Sequence, residues 1–409
     1  MKDRNPLSTG PAPRETIEVH AVTRLAGVDR AAWDGLDHGP SPFLRHGFLQ
    51  ALEDSGSVGG RSGWNPVYIL AQRGARLVGA AAGFIKTHSY GEYIFDFGWA
   101  QAASRARVPY YPKLVFAAPM TPATGRRVLL APDLDADDRR AITAALVAGA
   151  RAVADQAECL SIHWLFCTAD EQDALAHLGF TPRASYQYHW RRDPAWQAWP
   201  DFVGAMTSRK RKQLNKERTR VAAQIAPVEW RTAAELDTAC LDDLDRWYRS
   251  TTEEHGGTDY LRPGFFHRLA ETMPEPIRVA VAHQEGKRIA GALFFETDAA
   301  LYGRYWGADA RVEFLHFEVA YYAAIDRCLA RGTPLFEAGA QGEHKLLRGF
   351  LPCPTYSAHW LRHPGLSAAV ADHCAREATA LAHEMGELAA AGPFRRGDGA
   401  SDGAPPDEG

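Results

Sequence analysis

Acidic, basic and imidazole side chains are concentrated in a short run in the last fifth of the chain. Residues 335–350 read LFEAGAQGEHKLLRGF, an apolar stretch followed by glycines and a dense set of ionisable groups. Glutamate and histidine can accept a proton during a reaction, and lysine or arginine can stabilise an oxyanion or hold a phosphate. The residues that we predict to be catalytic are Glu343, His344 and Lys345. Nearby residues that we predict to bind substrate are Glu337, Gln341 and Arg348.

A solvated surface turn is the alternative interpretation of each of these residues taken singly. The density of ionisable groups across the whole run favours a functional site, because a surface turn does not require so many of them together. The glycines at 339, 342 and 349 allow positive φ angles or close backbone approach, so that the side chains between them can surround one point.

Two further groups of residues have the composition of a substrate-binding surface. One follows an apolar run that ends near residue 86, and it offers hydrogen-bonding and stacking groups. Its members are His88, Tyr90, Glu92, Tyr93, Tyr111 and Lys113. The other lies on a predicted strand at residues 300–306, where Arg304 is a candidate anion clamp and Tyr305 is its neighbour. Core tyrosines with satisfied hydroxyl groups are the alternative for the first group.

A strongly basic stretch lies between the two halves of the chain. Residues 207–221 contain seven basic residues and one acidic residue. Charge of one sign on a helix is typical of a phosphate contact, whereas a solvated helix face is the alternative. The predicted nucleic-acid or phosphate contacts are Arg209, Lys210, Arg211, Lys212 and Lys216.

Composition and spacing exclude several other classes of protein. The net charge of −4 is small for 409 residues, so any nucleic-acid contact has to come from a local patch. Six cysteines without a C-x-x-C pair favour a reducing cytoplasm over a disulfide framework. We expect no signal peptide and no membrane span, because no apolar run reaches the required length. His359 and His363 lack an intervening glutamate, so we predict no metal site.

An internal repeat indicates how these groups are positioned. Gly74–Ala80 and Gly286–Ala292 both read G-x-R-aliphatic-x-G-A, and each follows an apolar run at the turn of a predicted hairpin. In each half, strands then alternate with helices. This order predicts an α/β fold with a mixed sheet flanked by helices, and a duplicated domain.

Several motifs together resemble one family. They are EAGAQGEHKxxRGF at 337–350, PTYSAHW at 354–360, HSYGEY at 88–93, YYPK at 110–113, PxTG at 122–125, RKRK at 209–212 and YGRYWG at 302–307. As a set they resemble the FemAB-like peptidoglycan biosynthesis/recognition proteins, a branch of the GNAT N-acyltransferase superfamily. The resemblance extends from about residue 41 to residue 360. It implies two tandem GNAT-like domains, mixed sheets flanked by helices, and catalysis in a cleft between or beside them.

The resemblance also implies the division of the chain and its activity. We expect a disordered N-terminus (1–15), GNAT-like domain 1 (16–200), a basic linker helix (201–222), GNAT-like domain 2 with the catalytic-type turn (223–391) and a disordered tail (392–409). The expected reaction is transfer of an aminoacyl group from charged tRNA to a small-molecule or peptide amine in the cytoplasm, without a cofactor. Residues 306–314 lack the Q/R-x-x-G-x-G/A spacing of acyl-CoA enzymes. The alternatives are an acyl-CoA-dependent N-acetyltransferase and a non-catalytic ligand-binding protein on the same fold.

Overall fold

The computed structural model describes residues 15–254, 257, 259–340 and 342–395. The strands of this part of the chain are β1 (Ile17–Val22), β2 (Trp64–Arg73), β3 (Arg76–Lys86), β4 (Lys113–Phe116), β5 (Leu129–Leu130), β6 (Ser161–Cys167), β7 (Thr181–Arg191), β8 (Glu229–Thr232), β9 (Ile277–Gln284), β10 (Lys287–Glu296), β11 (Ala300–Ala308), β12 (Leu335–Glu337) and β13 (Leu351–Leu361). They form one mixed sheet in the order β1-β2-β3-β4-β6-β13-β7-β12-β11-β10-β9-β8, and β5 pairs with β3.

Helices cover the sheet. They are α1 (Arg30–Asp34), α2 (His46–Asp54), α3 (Phe97–Arg105), α4 (Ala136–Gln156), α5 (Ala169–His177), α6 (Trp199–Gly204), α7 (Ser208–Ala222), α8 (Thr238–Glu254), α9 (Phe265–Thr272), α10 (Leu315–Phe317), α11 (Ala323–Arg331) and α12 (Pro364–Ala390). A π-helical turn at Glu318–Tyr322 joins α10 to α11, and a 3-10 helix occupies Glu343–Arg348. The predicted α/β fold with a mixed sheet flanked by helices is therefore confirmed.

The two halves of the chain repeat one arrangement. In the first half, antiparallel β1, β2 and β3 lead to β4, which pairs in parallel with β6. In the second half, antiparallel β8, β9 and β10 lead to β11, which pairs in parallel with β12. The repeated G-x-R-aliphatic-x-G-A motif forms the equivalent hairpin turn in each half. Gly74 and Gly286 have φ angles of 56° and 76° in these turns, which glycine adopts without strain.

The halves also exchange their last strands. β13 of the second half lies between β6 and β7 of the first half, and β7 pairs in turn with β12 of the second half. The sequence predicts mixed sheets in two tandem domains, whereas the structure has a single sheet that runs through both halves. The domain limits 16–200 and 223–391 stay predictions, because each contains a strand that completes the other half.

The ends of the described chain add two details. The prediction of disorder for residues 1–14 and 396–409 concerns residues outside the described part of the chain. Within the predicted tail, Pro393 accepts a hydrogen bond from the backbone of Thr207 at 2.9 Å, and Phe394 stacks on Trp196 with ring centroids 5.7 Å apart. Residues 392–395 therefore pack against the N-terminal end of α7, which places the predicted start of the tail too early.

Candidate active site

An opening between β11 and β12 forms the main cavity of the second half. The two strands pair only through Ala300–Tyr302 and Leu335–Glu337. β11 then continues to Ala308, whereas β12 ends and the chain turns away at Gly339, which has a φ angle of 81°. The space left between them is a cavity of about 550 Å³. A volume of this size holds a small molecule or the end of a larger one.

Elements from both halves line this cavity. The lining residues that carry polar or aromatic side chains are Tyr93, Tyr248, Thr251, Thr252, Tyr260, Phe294, Arg304, Tyr305, Trp306, His316, Tyr321 and His344. Helix α8 can lie against β11 because Gly307 has no side chain: a Cβ atom there would come within 2.2 Å of the Trp247 carbonyl oxygen. The wall that carries Tyr248 and Thr251 depends on this close approach.

Arg304 contributes a positive charge to the cavity wall. Its Nε and Nη1 atoms are buried and have no hydrogen-bond acceptor among the described residues. The side chain lies deep among protein atoms, yet part of it remains accessible because it borders the cavity. Burial lowers the pKa of Arg304, although the guanidinium of arginine stays protonated at ordinary pH. The site therefore contains a permanent cation without a protein counter-ion in contact.

Glu337 is the last residue of β12 and lies beside Arg304. Its side chain is 3% exposed, and its Oε2 atom has no hydrogen-bond partner in the described part of the chain. Burial raises the pKa of this carboxyl from 4.5 to about 7, against the opposing charge of Arg304. A carboxyl whose pKa is near 7 can act as a general base or a general acid at neutral pH.

Lys345 lies in the turn that follows the opening. It is 1% exposed, and its Nζ atom donates a hydrogen bond to the carbonyl oxygen of Gly339 at 2.6 Å. Burial, followed by the nearby charge of Arg304, lowers the pKa of this ammonium from 10.5 to about 7. Glu337 and Lys345 are thus two buried groups of opposite type, and the charge of Arg304 acts on the pKa of both.

His344 borders the cavity directly. Its Nε2 atom lies 3.0 Å from the hydroxyl oxygen of Tyr321. Burial lowers the pKa of His344 to about 4, helped by the charges of Arg348 and Lys345. The imidazole is therefore neutral at pH 7 and is a weaker base than Glu337. Of the three residues predicted to be catalytic, His344 lines the cavity, and Lys345 follows it in the chain but is buried and does not line the cavity. The side chain of Glu343 and the whole of Gln341 lie outside the described residues.

Arg348 holds the turn in place and does not border the cavity. Its Nη2 atom donates to Glu217 at 2.9 Å, its Nε atom donates to the hydroxyl of Tyr322 at 3.0 Å, and its Nη1 atom donates to the carbonyl oxygen of His344 at 3.0 Å. The guanidinium also lies 3.2 Å from the centre of the Phe317 ring. These contacts use the donors that a ligand would need. The predicted substrate-binding role of Arg348 has no geometric support, and we infer a positioning role.

The residues predicted on the first half fall into three places. Tyr93 borders the main cavity. His88 and Tyr90 border a neighbouring cavity of about 180 Å³, which shares Met120 and Tyr260 with the main one.

Glu92, Tyr111 and Lys113 belong to a buried network that borders neither of these cavities. Lys113 donates to Glu92 at 2.8 Å and to Ser89 at 2.8 Å, and it also pairs with Asp96. Tyr111 contacts Ser89 at 2.7 Å. Lys113 is paired with two carboxylates, and the network lies away from both cavities, so it supports the fold better than it supports binding, although Glu92 Oε1 and Asp96 Oδ1 have no hydrogen-bond partner among the described residues.

The predicted basic residues lie on α7. Arg209, Lys212 and Lys216 are exposed, and Lys210 and Arg211 are half-buried. Further along the helix, Arg218 and Arg220 form ion pairs with acidic residues of the second half. The first five basic residues form no ion pair with any described residue. The charged face of α7 is therefore available to a polyanion, whereas its C-terminal end is used to pack the helix.

Several lining residues are missing from the sequence-based prediction. Tyr248, Thr251 and Thr252 lie on α8, and Tyr260 follows it, in a region for which no element is predicted. The i, i+3, i+4 pattern of Leu241, Leu244 and Tyr248 is the signal that could have located this helix. Among the described residues, no group of three His, Cys, Asp or Glu side chains is placed to hold a metal ion. No helix of this part of the chain is both long and apolar enough to cross a membrane.

Comparison with known proteins gives one family and a set of similar structures. Residues 24–396 match the family described as FemAB-like, peptidoglycan biosynthesis/recognition. No curated protein sequence matches the chain.

Two solved structures share the fold. The crystal structure of FemX is 10% identical with a TM-score of 0.50, covering 86% of this chain and all of that one. A conserved protein of unknown function from Bacteroides thetaiotaomicron is 12% identical with a TM-score of 0.51, covering 84% of this chain and 99% of that one.

Proposed function

Since this chain belongs to the FemAB-like peptidoglycan biosynthesis/recognition family and is an acyltransferase, we propose that it transfers an aminoacyl group from charged tRNA to an amine. The amine nitrogen attacks the acyl carbonyl, the ester bond to the tRNA 3′ oxygen breaks, and an amide forms. The attacking nitrogen loses one proton and the leaving oxygen gains one. A single observation carries the proposal: the buried carboxyl of Glu337 has an oxygen without a hydrogen-bond partner among the described residues, and it directly precedes Ala338, which lines the β11–β12 opening.

The residues of the opening divide this proton transfer between them. Glu337 in its anionic form accepts the proton of the amine, because its pKa lies close to the working pH. Lys345 in its ammonium form donates a proton to the leaving oxygen. His344 is neutral and hydrogen-bonded to Tyr321, so we assign it to the wall that orients the substrate. The proposal thus moves the base from residues 343–344 to Glu337.

The choice of donor rests on charge and backbone geometry. Acyl-CoA enzymes hold a pyrophosphate on backbone N–H groups at a helix N-terminus. Here the segment before α10 carries the acidic residues Asp309 and Glu313, and it lacks the Q/R-x-x-G-x-G/A spacing of acyl-CoA enzymes. The basic face of α7 offers an alternative contact for a phosphate backbone. Both features favour charged tRNA over acyl-CoA.

The direct test is a transfer assay with purified full-length protein. Charged tRNA and a panel of acyl-CoA thioesters serve as separate donors, with a mixture of amino acids and peptides as acceptors and detection of the new amide by mass spectrometry. We expect amide formation from charged tRNA. Activity with acyl-CoA alone would contradict the tRNA part of the proposal and favour a CoA-dependent N-acyltransferase.

A second comparison separates an enzyme from a binding protein. We expect E337Q and K345M to remain folded, to bind tRNA as the unmodified protein does, and to lose transfer. If E337Q and K345M each transferred the acyl group as fast as the unmodified protein, the roles given to these side chains would be contradicted. The proposed location is the cytoplasm, which suits both charged tRNA and six free cysteines.

A further inference from the structure

The chemistry of the acceptor follows from the charges that surround the opening. Glu337 and Lys345, on both of which the charge of Arg304 acts, have opposite charges when ionised and therefore offset one another. Arg304 is left with one positive charge and no ion-pair partner within the described residues. A buried guanidinium without a counter-ion is costly, and a bound anion would remove that cost. One surplus charge suits a monoanion better than a pyrophosphate.

The groups around Arg304 are hydrogen-bond donors. Tyr305 follows Arg304 in the chain and also borders the cavity. Tyr93 borders the same space. A guanidinium with unpaired N–H groups and neighbouring tyrosines on one cavity wall fit a planar acceptor such as a carboxylate, which takes charge-assisted hydrogen bonds.

The position of Arg304 relative to Glu337 indicates whether the donor or the acceptor carries this carboxylate. The base must lie within hydrogen-bond reach of the amine that it deprotonates. Among the charged groups that act on the pKa of Glu337, Arg304 has the largest effect, and its charge also acts on Lys345. A carboxylate held by Arg304 therefore lies beside the attacking amine and belongs to the same small molecule.

We propose that Arg304 binds the carboxylate of the acceptor, and that the acceptor is an aminocarboxylate such as a free amino acid or a short peptide with its carboxylate close to its amine. This inference rests on the proposed function, because it names the substrate class of that reaction. It is specific to the acceptor and does not depend on whether the donor is charged tRNA or acyl-CoA.

Product binding tests the inference without any donor. The probes are a panel of N-acetyl amino acids and the matching N-acetyl amino acid amides, titrated into the full-length protein by calorimetry. We expect at least one N-acetyl amino acid to bind about 10–100-fold more tightly than its amide, the range of one charge-assisted hydrogen bond. In R304Q the preference should fall below about twofold, and in R304K it should partly return.

Controls separate recognition from loss of structure. Arg105 is exposed on α3 far along the chain from the opening, so R105Q should keep the full preference for the carboxylate. Thermal unfolding of each variant shows whether it is folded at the titration temperature. Equal binding of acid and amide by the unmodified protein, retention of the preference in R304Q, or no binding of any N-acetyl amino acid would each overturn the inference.

The failure of the inference differs from failure of the proposed function. In the transfer assay, equal use of amino acids and amino acid amides as acceptors would refute the role of Arg304 and leave the transferase intact. Absence of amide formation with every donor, together with a preference of the unmodified protein for N-acetyl amino acids over their amides, would refute the transferase and leave the carboxylate site intact.

Discussion

Both halves of the molecule contain an opening between two parallel strands, which is filled in the first half and remains a cavity in the second. In the first half, β4 pairs with β6 only through Leu114–Phe116, and the loop that follows fills the space beyond. Arg127 is fully buried there, and it donates from Nε to Leu165 at 2.8 Å and from Nη2 to Ala123 at 2.7 Å. In the second half, β11 and β12 separate in the same way, but the Nε and Nη1 atoms of Arg304 have no acceptor in the described part of the chain, and a cavity remains.

A carboxylate accompanies each arginine, and the two carboxylates also differ. Glu171 accepts hydrogen bonds from the backbone N–H groups of Arg127 and Val128, both at 2.8 Å. Glu337 keeps an unpaired oxygen. The same pair of residue types is thus satisfied in one half and left unsatisfied in the other. The comparison indicates that one copy of the opening became structural and the other kept the groups needed for chemistry.

The largest expected effect comes from removing the two carboxylates in turn. E337Q should lower kcat by about 10²–10⁴-fold, the usual contribution of a general base, with a small change in KM. E171Q should leave kcat unchanged in the folded fraction, because Glu171 bonds only to backbone and to Thr168. Steady-state transfer kinetics measure both. Comparable losses in kcat would show that the halves are not divided in this way.

Replacing the two arginines should change stability, and here the larger effect is expected for the arginine of the first half. R127M removes the donors that satisfy several buried carbonyl groups, so the free energy of unfolding should fall by about 3 kcal/mol or more. R304M removes a buried charge without a protein partner, so the free energy of unfolding should stay the same or rise. Chemical denaturation gives both values. A larger loss for R304M than for R127M would contradict the contrast between filled and open sites.

The stability of the protein should depend on pH through the Glu337 carboxyl. The pKa of Glu337 is about 7 in the folded protein, above its ordinary value of 4.5, so its contribution to stability is lost as pH rises through this interval. At about pH 8, E337Q should exceed the unmodified protein in free energy of unfolding by on the order of 2 kcal/mol. At about pH 4 the difference should vanish. Denaturant titrations at both pH values test this, and a difference that does not change with pH would contradict it.

The smallest expected effect concerns tRNA binding. Neutralising Arg209, Lys212 and Lys216 together should weaken binding of charged tRNA and reduce the slope of log Kd against log salt by up to about 0.9 for each lost phosphate contact. Arg105 and Arg107 are exposed on the first half, so their double replacement by Gln is the matched control. Filter binding at several salt concentrations distinguishes the two, and an unchanged slope in the α7 variant would remove α7 from the interface.

Local sequence patterns were sufficient to predict much of the fold. The hairpins at residues 64–86 and 277–296 and the helix at 136–156 follow from alternation, from helical periodicity and from turn glycines. These signals are local, and so is the repeat that relates the hairpins. The exchange of β7 and β13 could not be predicted, because the edge of the sheet that a strand joins depends on contacts between residues about 190 positions apart.

The candidate site was located more accurately than its chemistry. The run 335–350 leads to a cavity lined by Ala338 and His344, with the buried residues Glu337 and Lys345 next to them in the chain, because a strand end and three glycines concentrate these residues. The chemical role of each of these residues depends on how deeply its side chain is buried, which cannot be read from the sequence. Burial distinguishes Glu337 from His344 as a base, and it places Arg348 in an ion pair with Glu217 on a helix more than 100 residues earlier. Lys113 and Glu92 had suitable residue types but satisfy each other.

The strand exchange has a consequence for synthesis of the chain. When synthesis has reached the end of β7, one edge of β6 has no partner strand. That edge stays unpaired until β13, at residues 351–361, has been synthesised. An exposed strand edge can pair with other chains during this interval. Folding of the first half therefore finishes only after the catalytic turn has been made, so that truncated products with a complete first half but no active site cannot accumulate as closed, stable domains.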